Sequence, residues 1–441
     1  MKYALPVVLA LALLAPRASD ASGFKVNEQG AKAGGMGLAF AGQADDPTTL
    51  SMNLAGIGQL EGTQAAFTLA LLDVPGRDFN SDLAGVADQS ADNQFAGIPS
   101  LFITTDLGSE RWHIALGVYS MYGLTQDWNL TGTSSSAPPI PQAGFSRVFD
   151  RAKLATIFIN PCVSYDVIPK KLTFAAGFIA GEGAASFEQN PVFNAGPGGI
   201  REVAELESEV DGWGFSFNVG IHARICDDWR VGAYYRHKMD VAMDGKFEAD
   251  HLSPIVFGPR QSFETDESLL FTLPGAAGLG IAWDATPKLT VEVDGEYNSW
   301  AVFDDLVPHL EAPLLNVGGA TVVNDNSLHQ HLDWEDSYAI RVGGQYKVSD
   351  AVALRAGYFY DQTPVPGDRL NPAVPDASRH AMTLGAGYKS GSWTIDAAYM
   401  LVFVGDRDVN NGVLAPQIPV QDGSYSSDPV NVFMLTVGLH F

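Results

Sequence analysis

The chain has 441 residues, of which 46% are hydrophobic, and its 51 acidic and 26 basic side chains give a formal net charge of −25 at pH 7. This acidic balance argues against a nucleic-acid partner, because affinity for phosphates comes from lysine and arginine. The two cysteines are too few for a disulfide framework, and no stretch after the first residues has the roughly eighteen consecutive apolar residues of a membrane helix.

The N-terminus has the pattern of an export signal. Lys2 supplies a positive charge, the run Tyr3–Ala15 is almost entirely apolar, and Ser19–Ala21 offers small residues where signal peptidase cleaves. A run of about thirteen residues is too short to cross a membrane, which takes about twenty. We therefore predict a signal peptide at residues 1–21 and a mature chain that begins at Ser22.

The next segment, residues 22–60, is too poor in large apolar side chains to form its own core. Gly and Ala dominate it, as in GAKAGGMGLAFAGQ at residues 30–43. One interpretation is a flexible linker. The other, which we prefer, is a segment that folds against the rest of the protein.

From Thr63 onward, apolar and polar side chains alternate in segments of about ten residues, which predicts β-strands. In residues 215–225, for example, apolar side chains share one face, and Ser216, Asn218 and His222 lie on the other. We count about fourteen such strands. They start near residues 63, 98, 112, 150, 171, 212, 229, 268, 288, 338, 351, 381, 392 and 429.

The connections after even-numbered strands are short and those after odd-numbered strands are long, which is typical of an outer-membrane barrel. Closure of the barrel pairs every strand edge, as lipid requires. The final strand ends in Phe441 and resembles the signal read by the barrel-assembly machinery. The predicted fold class is an all-β, antiparallel transmembrane β-barrel in the bacterial outer membrane. Tryptophans near strand ends predict the two interfacial girdles: Trp112, Trp213, Trp229, Trp283, Trp300 and Trp393.

Five motifs occur in order along the chain: Ser22–Phe24, Gly35–Gly42, Asn53–Gly56, Asn160–Tyr165 and Thr272–Pro274. Together they resemble the FadL/TodX (OmpP1) family of outer-membrane transporters for long-chain fatty acids and hydrocarbons. The resemblance covers nearly the whole mature chain. It implies a monomeric, fourteen-stranded barrel at residues 61–441 whose lumen is plugged by a short-helical hatch at residues 22–60.

The family's hatch motif is Asn-Pro-Ala, and here Asn53, Leu54 and Ala55 occupy it. The missing proline removes a fixed φ angle from this turn. The family also has a proline near Met121 and an inward kink in the third strand that opens a gap in the wall. Gly117 and Gly123 are the residues of this chain that permit such a kink.

The resemblance implies transport without catalysis and without a cofactor. A hydrophobic ligand enters an apolar groove between outer loops, passes to a lumenal pocket, and leaves sideways after the hatch shifts. The candidate substrate-binding residues are Phe24 and Val26 at the start of the hatch, and Met121 and Tyr122 at the expected wall opening. For both pairs the alternative is ordinary packing.

Alternation places a set of charged residues in the lumen, where adjacent strands should pair them: Arg236, Lys238, Glu292, Asp294, Glu296, Arg341 and Arg355. Arg341 or Arg355 is a candidate to hold a ligand carboxylate, for which arginine is well suited. Glu182 in the fifth strand and the negative net charge favour instead a neutral hydrocarbon over a long-chain fatty acid.

Other site chemistry is weaker. His329 and His331 lie on an acidic loop and are expected to be solvated, so no metal site is predicted. Acidic loop residues are compatible with bridging to lipopolysaccharide. Cys162 and Cys226 are expected to face inward on strands too far apart for a disulfide. The alternative functions are a general diffusion porin and a structural or adhesive barrel.

Overall fold

The computed structural model describes residues 23–82, 88–128, 151–189, 192–194, 200–202, 204–252, 254–315, 318–319, 321–409 and 423–441. The predicted signal peptide therefore lies outside the described residues, as does Ser22. Eighteen hydrogen-bonded strand segments form one sheet. Because four of its strands consist of two segments each, these make a closed antiparallel barrel of 14 strands, which confirms the predicted fold class and strand number.

The barrel strands are β1 Thr63–Val74, β2 Gln94–Thr105, β3 Trp112–Tyr119 with Gly123–Asp127, β4 Arg151–Ile168, β5 Leu172–Gln189, β6 Glu205–Arg224, β7 Trp229–Arg236 with Met239–Asp250, β8 Phe263–Leu273 with Ala276–Thr286, β9 Leu289–Asn298 with His309–Leu310, β10 Ser337–Lys347, β11 Val352–Asp361, β12 Arg379–Ser390, β13 Trp393–Val404 and β14 Val430–His440.

The barrel closes between its first and last strands. Gln64 of β1 lies opposite His440 of β14, and the other edge of β1 pairs with β2. The turns after even-numbered strands are short, for example residues 287–288 and 391–392. By contrast, the β9–β10 connection, by which we mean everything between Asn298 and β10, covers residues 299–336 and includes the short second segment of β9, His309–Leu310. The predicted division into a short-turn rim and a long-loop rim is therefore confirmed.

The outer face is apolar and the inner face is polar, as the alternation predicts. Phe215 and Phe217 are exposed on the outside of β6, while Ser216 and Asn218 are buried inside. Five of the six predicted girdle tryptophans are 42–53% exposed on the outer surface. Trp300 is the exception and is fully buried, because a 3-10 turn at Trp300–Val302 directs the chain inward at the end of β9.

The alternation fails at one irregularity in β7. Asn218 lies opposite Arg236 and Gly214 lies opposite Val241, so one extra residue is present in β7 between these pairs. Such a bulge moves the following side chains to the other face. The prediction that Lys238 faces the lumen is therefore wrong: its ammonium group pairs with the exposed Asp240, 3.0 Å away.

Two further predictions need correction. Glu182 shares the outer face of β5 with exposed Phe178, so it does not line the lumen and says nothing about the ligand. Cys162 is buried on the inner side of β4, but Cys226 lies exposed in the turn after β6 instead of facing inward. Both thiols are free, as predicted.

The long loops contain short strands and short helices. No helix among the described residues is long and apolar enough to cross a membrane. The loop strands are Asp78–Ser81, Gln89–Ser90, Val192–Asn194, Ile200–Glu202, Asp305–Leu306, Leu314–Leu315, Thr321–Val323, Gln330–His331, Arg407–Val409 and Gly423–Ser426, and the loop helices are Pro254–Phe257 and Asp325–Leu328.

Residues 23–60, which we call the N-terminal segment, contain the α-helix Ala31–Gly35 and the 3-10 helices Pro47–Ser51 and Leu54–Gln59. The α-helix contacts β11 to β14, and Leu54–Gln59 contacts β3 to β7. Because one segment touches both sides of the barrel through buried side chains, it lies within the lumen. The barrel wall thus supplies the core that the segment lacks.

Candidate functional site

The barrel wall has a gap between β2 and β3. Only Ile114–Val118 of β3 pairs with β2, whereas Gly123–Asp127 pairs with β4 alone. Tyr119 lies opposite Phe158 and Gly123 opposite Ala155, so the three residues between Tyr119 and Gly123 face only two residues of β4. This bulge bends β3 away from β2 at the predicted position.

The N-terminal segment runs along this gap. The Val26 amide donates to the Met121 carbonyl at 2.7 Å, and the Gly123 amide donates to the Phe24 carbonyl at 2.9 Å. Lys25 consequently pairs with Tyr122 as in an antiparallel sheet. The structure therefore brings all four predicted residues of the hatch start and wall opening into one short ladder.

Gln29 connects the two separated strands. Its side-chain amide donates to the Ser120 carbonyl of the β3 bulge, and its carbonyl oxygen accepts from the Ser100 hydroxyl of β2 at 2.6 Å. Sequence reasoning gave Gln29 no role of its own. Ordinary pairing signals do not reveal it, since its partners lie 71 and 91 residues away.

The side chain of Phe24 fills an aromatic cage in the lumen. Its ring lies 4.8–5.9 Å, centroid to centroid, from five other rings, and its exposure is 1%. These rings belong to Tyr122, Phe271, Trp300, Phe303 and Trp334. Edge and tilted ring contacts of this kind add to the burial of apolar area. Val26 is also fully buried.

A buried ionic network lies beside the cage. The Lys25 ammonium group is 2.5 Å from a Glu296 oxygen and 2.9 Å from the Asn298 side-chain oxygen. The same Glu296 oxygen accepts from Arg341 at 2.9 Å. Two strands away on the same wall, Arg236 of β7 donates to the hydroxyl of Tyr122 in the β3 bulge at 3.0 Å. Because Lys25 and Arg341 share the Glu296 carboxylate, loss of that carboxylate would leave buried charges without a partner, which is strongly destabilising.

Two further predicted lumenal carboxylates bind the backbone of the N-terminal segment. Asp294 accepts from the amides of Phe40 and Ala41 at 2.8 and 2.9 Å. Glu292 accepts from Gly42 at 2.5 Å and from Gln43 at 3.0 Å. These two carboxylates thus hold a turn of the N-terminal segment, whereas the sequence predicted that they pair with charged side chains on adjacent strands.

Arg355 and the hatch motif lie deeper in the lumen. Arg355 donates to Asp396 at 2.6 Å, so its guanidinium already has a carboxylate partner. Asn53 donates to the carbonyls of Ala41 and Ile221 at 2.9 and 3.1 Å. Leu54, which replaces the family's proline, is fully buried at the start of a 3-10 helix.

A narrow apolar groove lies between the ends of β5 to β8 and the β9–β10 connection. Its cavity volume is about 20 Å³, roughly the space that one water molecule needs. Its lining includes Phe187, Leu206, Phe247 and Leu306, together with the carboxylate of Glu267. One Glu267 oxygen accepts from Ser208 at 2.6 Å, and the other is buried without a hydrogen-bond partner among the described residues.

The two loop histidines have a partner that the sequence did not suggest. His329 and His331 both lie within 2.8 Å of one carboxylate oxygen of Asp305, in the β9–β10 connection. The hydrogen bond from His329 holds the pKa of Asp305 below its usual value. The histidines are therefore paired with a carboxylate rather than merely solvated.

The closed barrel, its apolar outer face and its filled lumen define a transmembrane β-barrel of the outer-membrane type. The chain matches the family of outer membrane protein transport proteins (OMPP1/FadL/TodX) over residues 11–437, and it belongs to this family of outer-membrane proteins.

Individual relatives are distant but cover nearly the whole chain. The long-chain fatty acid transport protein of Escherichia coli (strain K12) is 24% identical over 440 residues, which cover 89% of this chain and 91% of the relative. The crystal structure of a Pseudomonas aeruginosa FadL homologue superposes with a TM-score of 0.77 at 21% identity, covering 95% of this chain and 100% of the other. The Ralstonia pickettii toluene transporter TbuX gives 0.66 at 16% identity, covering 94% and 99%.

Proposed function

We propose that the protein takes up neutral hydrophobic molecules across the outer membrane without catalysis. The ligand enters the loop groove around Phe187 and Phe247 and moves to the aromatic cage in the lumen. Displacement of the strand at residues 24–26 then lets it leave sideways between β2 and β3. A lateral exit keeps the ligand out of water, which is worth about 0.8 kcal/mol per buried CH₂.

One observation carries this proposal: the short strand at residues 24–26 lines the gap with its backbone and fills the cage with the side chain of Phe24. Phe24 occupies the aromatic cage, while the backbone of Phe24 and Val26 is bonded to the bulge of β3. A ligand that displaces the Phe24 ring therefore also loosens the chain that lies along the gap. Binding and opening are coupled through one short strand.

The polar groups of the route favour a neutral ligand. Relatives include proteins named for fatty acids and for toluene, so membership of the family alone does not distinguish a charged from a neutral ligand. In this chain, Arg341 and Arg355 are each bonded to a carboxylate, and the groove contains the carboxylate of Glu267. A ligand carboxylate would meet repulsion at Glu267 and would need to displace an internal partner from either arginine.

The remaining assignments follow from the family and the fold. We propose that residues 22–60 act as a hatch domain within a barrel domain at residues 61–441, and that the protein is a monomer. The strand Val430–His440 with Phe441 would engage the barrel-assembly machinery. The apolar outer face would contact lipid, and acidic outer loops would approach lipopolysaccharide through divalent ions.

A reversible disulfide tests whether the strand must move. Lys25 and Tyr122 form a non-hydrogen-bonded pair, with one backbone hydrogen bond on each side of it. The Cα atoms of such pairs are about 4.5 Å apart, a distance that a disulfide can bridge. The double variant Lys25→Cys/Tyr122→Cys would be made with Cys162 and Cys226 replaced by serine. The matched controls are the two single variants under the same oxidation.

Uptake would be measured in cells lacking their own hydrophobic transporter, with labelled toluene and oleate. We expect the oxidised double variant to lose toluene uptake and a reductant to restore it, with oleate taken up less well throughout. Equal uptake by the oxidised and reduced forms would contradict the coupling. Free passage of small ions in the reduced protein would instead support the porin alternative.

A further inference from the structure

A three-residue cluster in the β9–β10 connection has the composition of a metal site. Asp305–Leu306 and Gln330–His331 form a two-stranded ladder in which Asp305 lies opposite His331. His329 lies between the loop helix Asp325–Leu328 and this strand, two residues before His331. The Asp305 oxygen is 2.8 Å from His329 Nε2 and 2.7 Å from His331 Nδ1.

The three atoms converge closely enough to share one ion. The ligand atoms all lie within 4.8 Å of one another, and the imidazole centroids are 4.1 Å apart. Tetrahedral zinc with bonds of about 2.0–2.1 Å separates its ligand atoms by about 3.3 Å. The present hydrogen-bond distances would therefore need to widen by roughly 0.6 Å, which side-chain rotation at a partly exposed site allows.

We propose that Asp305, His329 and His331 bind a divalent transition-metal ion, with Zn²⁺ as the probe. Two imidazole nitrogens and one carboxylate oxygen suit a borderline-soft ion, and three protein ligands leave a fourth position for water. The side chains of Asp305 and His331 are 41% and 50% exposed, so the ion has access from solvent.

The ion would join residues that are far apart in the chain. His329 is 24 residues from Asp305, and a bond through the metal closes this loop. Leu306 and Gln330, the neighbours of the metal ligands in the ladder, line the apolar groove together with Pro308 and Leu328. The metal would therefore fix one wall of the groove, and this consequence alone rests on the proposed transport function.

Binding would be measured on the full-length protein in detergent, without a polyhistidine tag, by equilibrium dialysis against Zn²⁺ with metal analysis. We expect one Zn²⁺ per chain with micromolar affinity. The double variant His329→Gln/His331→Gln should weaken binding at least tenfold. The matched control is His309→Gln in the same loop, because His309 bonds to Asp325 outside the cluster; it should bind Zn²⁺ like the unchanged protein.

Co²⁺ provides an independent readout, because four-coordinate Co²⁺ has an intense visible spectrum that the double variant should lack. Hydrogen exchange of residues 304–308 and 329–332 should slow when Zn²⁺ is added to the unchanged protein. The proposal is wrong if the unchanged protein binds no Zn²⁺ saturably, if the double variant binds it equally well, or if bound Zn²⁺ leaves the exchange unaltered. The uptake assays test transport and the Zn²⁺ experiments test metal binding. A negative result in one therefore does not contradict the other proposal.

Discussion

Truncation of Phe24 should release the start of the N-terminal segment from the gap between β2 and β3. The Phe24 ring is buried to 1% exposure and contacts the five rings of the cage. Replacing a buried phenylalanine with alanine costs about 3–5 kcal/mol, because apolar contacts are lost and a cavity remains. Since about 1.4 kcal/mol corresponds to a factor of ten, Phe24→Ala should raise the population of the released strand by a factor of roughly one hundred to a few thousand.

Hydrogen–deuterium exchange followed by mass spectrometry measures this release. The informative amides are those of Val26 and Gly123, which are bonded across the gap. Phe247→Ala is the matched control, because Phe247 is equally buried but packs in a separate cluster between the outer loops. Unchanged exchange at Val26 and Gly123 in Phe24→Ala would refute the reasoning, as would the same increase in Phe247→Ala.

Two other predictions concern packing and the thiols. A Cβ at Gly232 would lie 1.7 Å from the Ala41 carbonyl oxygen, whereas a Cβ at Gly295 would meet nothing within 4 Å. The variant Gly232→Ala should therefore lower the folded fraction seen on heat-modifiability gels. The control variant Gly295→Ala should leave that fraction unchanged. Because Cys226 is exposed and Cys162 is buried, a thiol reagent should modify one cysteine per chain in the folded protein and two after unfolding; a second rapidly reacting thiol in the folded protein would contradict this.

The barrel could be predicted from the sequence because its signals are local. Alternation with a period of two shows which side chains of β6 face lipid. The length of each connection shows whether it lies at the short-turn rim or the long-loop rim. A single extra residue in a strand makes a prediction based on alternation wrong for the side chains that follow it. The bulge in β7 moves Lys238 to the outside, and no feature of HKMD at residues 237–240 distinguishes a bulge from a regular strand.

The site was predictable only in part, because its contacts join distant parts of the chain. Family motifs pointed to Phe24, Val26, Met121 and Tyr122, which the structure brings together. The cage also needs rings such as Trp300 and Trp334 from the long β9–β10 connection, whose path no periodicity describes. The pairings of Gln29 with Ser100 and Asp305 with His331 are equally invisible in a linear pattern.

The chemistry of the Phe24 cage bears directly on which ligand can open the gap. The Phe24 side chain is a benzyl group, so a monoaromatic hydrocarbon that takes its place restores nearly the same ring contacts. The exchange then costs little in the cage, and release of the strand still has to separate Lys25 from Glu296 and break the two backbone hydrogen bonds across the gap. A fatty acid brings a chain without ring contacts and a carboxylate that competes with Glu296 for Lys25 and Arg341. Under the proposed function, the cage therefore favours a neutral aromatic ligand for a reason independent of the outer groove.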